Sequence, residues 1–144
     1  MQNLPHIYLV EAVARAEGNI SLATPNVMPL ESAPPAEFGG PGTFWSPETL
    51  LTAAVADCFV LTFRAVARAS ALRWLGLKCE VEGKLERKDG ILRFTEFVIH
   101  ARLTAEPGTN EEKARAALEK AEKTCLVSNS LSAARRLDAQ VIVS

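Results

Sequence analysis

An α+β fold with mainly antiparallel sheet is predicted by three features of the chain: β-branched alternation near the N-terminus, one long apolar helix before the middle, and a second stretch of alternation followed by helical patterning. With 144 residues, the chain has the size of one domain, and a single domain spanning 1–144 is expected. Hydrophobic residues make up 48% and charged residues 23%, a balance that supports a packed core and argues against disorder.

The stretch from Tyr8 to Thr24 alternates and is broken at Glu17-Gly18-Asn19, which predicts a two-stranded hairpin. The Pro/Gly-rich segment from Pro25 to Pro41 reads as a long loop, and loops of that length in small proteins are commonly functional. Ser46-Pro47-Glu48 then starts a helix: Ser caps a free N–H, Pro suits the first turn, and Glu faces the positive end of the dipole. This helix should run to about Ser70, with Leu51, Ala54, Val55, Cys58, Leu61, Ala65 and Ala69 on its apolar side. Phe59, Phe63 and Val66 widen that surface, while Asp57, Arg64 and Arg68 form a narrow charged stripe. A helix this apolar needs cover on nearly every side, and Cys58 is expected on its buried side.

From Lys78 to Ala105 the pattern alternates again, with Lys88-Asp89-Gly90 as a hairpin turn. Thr109-Asn110-Glu111-Glu112 has the form of a capping box with Thr109 as the cap. The helix that follows places Ala114, Ala117, Leu118 and Ala121 on one face, and Cys125 falls one turn further along the same stripe. A short helix from about Ser128 to Arg136 and a last strand, Ala139 to Val143, are expected to complete the fold.

Charge and cysteine usage narrow the function. Sixteen basic and 17 acidic residues leave a net charge of −1, which offers no long-range attraction to nucleic acid or an anionic bilayer. The apolar run from Leu50 to Val66 is interrupted by Asp57 and Arg64 and falls short of the roughly 20 residues of a membrane span, so no membrane association is expected. The N-terminal run lacks a preceding Lys or Arg, unlike a signal peptide, and a cytoplasmic location is the expectation. Cys58, Cys79 and Cys125 lie far apart without a Cys-x-x-Cys pair, so neither a disulfide scaffold nor a zinc module fits. Cys79 alternates with Val81 on an inner strand face and reads as a core thiol. His6 and His100 stand alone, and no metal site is expected.

Cys58 and Cys125, on the apolar sides of different helices, are free to meet across a helix contact. By itself a buried cysteine is more commonly a small core hydrophobe than a nucleophile. The run FGGPGTFWSPETLLTAAVADCFVLTFR, followed much later by CLVSNSL, resembles the OsmC/Ohr family of thiol-dependent peroxidases. The matching positions are Pro47-Glu48 opening the central helix, Ala53-Ala54, Cys58-Phe59, and Cys125 with Ser128 and Leu131. Arg15, Gly18 and Ser21 stand where that family has an arginine in its first strand pair. Two positions depart from the family pattern: Leu126 replaces a usual proline, and Asp57 replaces a small residue.

The resemblance implies an OsmC-like fold, with antiparallel sheets around a long central buried helix, assembled as an intertwined homodimer. It also implies reduction of organic hydroperoxides, with Cys58 as attacking thiolate and Cys125 as resolving thiol. An unperturbed thiol has a pKa of about 8.5, so a nearby cation is needed, for which Arg15 is the candidate and Glu48 its partner. Phe38, Phe44, Trp45 and Phe59 are candidate lining residues for an apolar peroxide, with core packing as the competing explanation. No bound cofactor is implied, but an external dithiol of the dihydrolipoamide type, free or on a lipoylated protein, is. A dimeric redox sensor or a binder of apolar ligands is the alternative function.

Overall fold

The computed structural model describes residues 2–144, which divide into two compact units: one ends at Leu50 and the other is Leu51–Ser144. In the first unit, β1 (Glu11–Val13), β2 (Ile20–Ala23) and β3 (Leu30–Ser32) form an antiparallel sheet in that order. The predicted hairpin is β1–β2, and Gly18 supplies a positive φ of 95° in its turn. β3 was not expected, because it lies within the Pro/Gly-rich segment. Its three residues fit between Pro29 and Pro34, where no proline interrupts the ladder, and Leu30 and Ser32 turn inward while Glu31 stays exposed. A 3-10 turn, Ala36–Phe38, follows. Gly40 then passes Pro34 so tightly that a Cβ would lie 1.7 Å from the Pro34 carbonyl oxygen.

The central helix α1 (Pro47–Ala69) begins as predicted. Ser46 Oγ accepts from the Thr49 N–H at 3.1 Å, and the Ser46 N–H donates to Thr49 Oγ1 at 2.9 Å, a reciprocal cap with Thr in the acidic residue's usual place. The buried stripe is Val55, Phe59, Phe63 and Ala67, spaced by four. Leu61, Ala65 and Ala69, expected inside, are exposed, because the stripe is centred one residue away from the predicted one. By length and composition alone α1 is long and apolar enough to cross a membrane, since it extends beyond the Leu50–Val66 run, but Val55, Phe59, Phe63 and Ala67 are buried in the protein core.

The second unit packs this stripe on a three-stranded sheet, ordered β4 (Trp74–Lys88), β5 (Ile91–Ala105), β6 (Ala134–Val143). β4 and β5 are antiparallel around Asp89 and Gly90, whose φ angles of 54° and 77° suit the predicted tight turn. β6 runs parallel to β5, so the sheet is mixed rather than wholly antiparallel. The crossover that parallel pairing requires is supplied by α2 (Glu111–Thr124) and α3 (Leu126–Asn129). Phe97, Ile99, Ala101 and Leu103 of β5 and Ala114, Ala117, Leu118 and Ala121 of α2 close the core with α1. Phe63 meets Trp74 edge-on at 5.3 Å.

Two boundaries moved. The cap of α2 is Asn110, whose side chain accepts from the Lys113 N–H at 3.1 Å, and the neighbouring Thr109 hydroxyl instead donates to the Arg73 carbonyl. The last helix ends at Asn129, and the strand already starts at Ala134. Arg135, Leu137, Ala139 and Val141 alternate with exposed neighbours, so period-two burial beside β5 overrides the helical propensity of Ala, Arg and Leu there.

Candidate active site

Cys58 lies at mid-length on α1, half-buried beside the Val55–Phe59 stripe. One turn on, Thr62 Oγ1 stands 3.8 Å from its sulfur. Cys125 is not within α2, as the stripe predicted, but at the junction between α2 and α3, with an extended backbone (φ −64°, ψ 110°) and no exposed surface. Such a junction leaves the first N–H groups of α3 without helical acceptors. Those of Leu126 and Val127 reach the Cys58 sulfur.

The two thiols are thereby driven apart in acidity. Burial works against a thiolate on Cys58. It is outweighed by hydrogen bonds from the Val127 N–H, the Cys125 thiol, the Thr62 hydroxyl and the Leu126 N–H, and the Cys58 pKa lies below the ordinary thiol value. For Cys125 burial raises the pKa. Ser128 opposes this, while the hydrogen bond to Cys58 and the charge on Cys58 add to it, and the net shift is upward. The Ser128 hydroxyl is buried and meets no partner at good hydrogen-bond geometry, so its help to a Cys125 thiolate is small. One free thiol disposed to ionise thus rests beside another disposed to stay protonated, the arrangement of a nucleophile and a proton donor.

Cys79, on the inner face of β4, is pushed up to about 11, first by burial and then by negative charge on Cys125 and Glu80. That suits a core thiol. Phe59 is fully buried against the sheet and serves packing rather than lining an accessible site.

Arg15, Phe38, Phe44, Trp45 and Glu48 belong to the first unit. Arg15 is exposed on the β1–β2 connection, and Glu48 is half-buried in the first turn of α1. Phe44 and Trp45, with Leu30 and Thr49, line an open cleft of about 580 Å³, to which Phe38 does not contribute. Sequence reasoning missed the Val127 and Leu126 N–H groups, which carry no side-chain signature. It also missed Thr62, whose i+4 spacing from Cys58 was visible.

On the solvent face of the second sheet His100 bridges all three strands: Nδ1 is 3.0 Å from Asp138 Oδ2 and Nε2 is 2.8 Å from Glu82 Oε1. The Asp138 and Glu82 carboxylates hold its pKa above the ordinary imidazole value. Among the described residues no group of three His, Cys, Asp or Glu side chains is arranged to hold a metal ion.

Comparison with known proteins places this geometry in a family. YmaD of Bacillus subtilis (strain 168), itself uncharacterized, is 25% identical over 100 residues, 67% of each chain. The crystal structure of the organic hydroperoxide resistance protein OsmC of Legionella pneumophila matches with a TM-score of 0.73 at 26% identity, covering 99% of both chains. An OsmC-like protein of Mycoplasma pneumoniae shares the fold with a TM-score of 0.81 at 16% identity, over 96% of this chain and 99% of that one. Residues 40–139 match the family described as OsmC-like protein, and the chain belongs to that family.

Proposed function

We propose that this chain is a thiol-dependent peroxidase that reduces organic hydroperoxides to alcohols. The observation that carries the reading is the Cys58–Cys125 pair, with the thiolate favoured on one sulfur and the proton retained on the other. The name of the Legionella pneumophila protein supports the substrate class.

The Cys58 thiolate attacks the terminal oxygen of ROOH, the O–O bond breaks, and RO⁻ leaves and takes a proton to give ROH. Cys58 becomes a sulfenic acid. The Cys125 sulfur then attacks it, forming the Cys58–Cys125 disulfide and releasing water. An external dithiol, of the dihydrolipoamide type, reduces that disulfide and is itself oxidised. Arg15 is assigned to stabilising the thiolate and the departing alkoxide, with Glu48 as its carboxylate partner. The half-exposed rings of Phe44 and Trp45, with Phe38 in the same loop, suit an alkyl group.

The working form is a homodimer. Leu61 on α1 is 52% exposed, and Ile7, Tyr8, Leu9 and Val10 are exposed in the first unit, apolar surface that a second copy would cover. Free thiols suit a reducing compartment such as the cytoplasm.

The test is turnover of cumene hydroperoxide with dihydrolipoamide as reductant. The unmodified chain should turn over, Cys58→Ser should not, and Cys125→Ser should accumulate a dimedone-reactive sulfenic acid on Cys58. Oxidation once per chain without turnover sinks the peroxidase reading and favours a redox sensor.

A further inference from the structure

The turn that carries Cys125 is held by an arginine outside both helices. Arg135, near the start of β6, donates from Nη1 to Asn129 Oδ1 at 2.8 Å, and its Nε lies 2.9 Å from Glu122 Oε1. The second contact is an ion pair at close range, but without an N–H aligned on Oε1. Asn129 in turn donates from Nδ2 to the Lys123 carbonyl at 3.2 Å, and the Asn129 N–H donates to the Cys125 carbonyl at 3.0 Å. Glu122 precedes Cys125 by one helical turn and Asn129 follows it by another, so a single guanidinium ties the two sides of the turn together. The Arg135 and Glu122 side chains are only 22% and 16% exposed, which protects their attraction from solvent screening.

Packing leaves part of the turn unanchored: Cys125 and Ser128 are buried and Val127 packs against the core, whereas Leu126 is 71% exposed. Its N–H and that of Val127 nevertheless have to be aimed at a sulfur on another helix. The planar guanidinium keeps the charge near Glu122 and the donor to Asn129 in a fixed relation, whereas a Lys ammonium on its flexible stem would hold the same two groups less rigidly.

We propose that Arg135 is a positioning residue for the thiol pair: by clasping Glu122 to Asn129 it fixes the turn from Cys125 to Val127 so that its N–H groups and thiol face Cys58. The consequence for peroxide reduction rests on the function proposed above, whereas the positioning itself does not.

The experiment uses the full reduced chain and two reagents that need no peroxide. Iodoacetamide alkylation of Cys58 is followed by mass spectrometry from about pH 6 to about pH 10, and diamide-driven formation of the Cys58–Cys125 disulfide is timed. Arg135→Gln should shift the Cys58 alkylation profile upward by about one pH unit, so that on its rising limb the rate at a given pH falls by up to about tenfold. Disulfide formation should slow by a similar factor, and Arg135→Lys should recover only part of either loss. A wild-type profile in Arg135→Gln overturns the proposal, as does full recovery by Arg135→Lys. Should Arg135→Gln fail to fold by circular dichroism, Asn129→Ala opens the same clasp at an exposed side chain: the same upward shift supports the proposal and an unchanged profile overturns it. Because neither readout involves peroxide, absence of turnover in the unmodified chain would defeat the peroxidase reading while leaving this test intact.

Discussion

Hydrogen bonding from the backbone N–H of Val127 lowers the pKa of Cys58, linking the first turn of α3 to the middle of α1. A main-chain donor of this kind cannot be removed by changing the side chain of Val127, so its effect is read best on the sulfur. Three thiols in one chain then have three acidities: Cys58 below the ordinary thiol value, Cys125 above it, and Cys79 at about 11. Alkylation by limiting iodoacetamide near pH 7.5, resolved by peptide mass spectrometry, should label Cys58 first and leave Cys79 for last, because the thiolate is the reactive form. Faster labelling of Cys125 than of Cys58 would reverse the assignment of nucleophile and partner.

His100 gives a second pH-dependent outcome, this time in stability. Its folded pKa is raised, by Asp138 first and Glu82 next. The stabilisation from these contacts is therefore complete below the unfolded imidazole value of about 6.5 and is lost as pH rises through the higher folded value. Urea midpoints should fall between about pH 6 and about pH 8.5 in the unmodified chain, and His100→Gln should flatten that part of the curve. Since the cluster faces solvent, about 1 M salt should shrink the difference. An equal slope in the variant would show that His100 contributes nothing to it.

What the sequence made legible follows from how local each signal is. Ser46-Pro47 and Asp89-Gly90 act within a few residues, and the helix start and hairpin turn appear where those residues put them. β3 escaped notice because three residues between prolines give no period to read, and β6 was shortened because Ala134 to Leu137 favours a helix until β5 is there to pair with it. At the site, both cysteines could be picked out by residue type and motif context. The placing of Cys125 at a junction rather than on a helix face depends on where α2 stops, and the two N–H groups that reach Cys58 depend on that same stop. A one-residue error in a helix boundary is harmless to the fold but decisive for which backbone donors are left free.

The start of α2 offers a direct measure of such a boundary. Asn110 caps the helix through the Lys113 N–H, while Thr109 makes only a long bond to the Arg73 carbonyl at 3.4 Å. Asn110→Ala should cost about 1 kcal/mol, and Thr109→Ala should stay within about 0.5 kcal/mol, in urea denaturation. The reverse order would restore Thr109 as the cap.

A packing test comes from β4, which carries two glycines of opposite character. A Cβ on Gly83 would lie 2.9 Å from Phe97 Cε1, 2.9 Å from Thr52 Oγ1 and 3.0 Å from Phe94 Cε1. The two rings are stacked on one another with centroids 5.1 Å apart, so neither can yield without disturbing its neighbour. Around Gly76 nothing lies within 4 Å of the same atom. Gly83→Ala should therefore destabilise by about 1–3 kcal/mol through overpacking, whereas Gly76→Ala should be neutral or stabilise by up to about 1 kcal/mol by restricting the unfolded chain. Because both substitutions remove the same backbone freedom, the difference between their thermal midpoints isolates the contact with Phe94, Phe97 and Thr52. Equal midpoints would mean that the rings over Gly83 move aside freely.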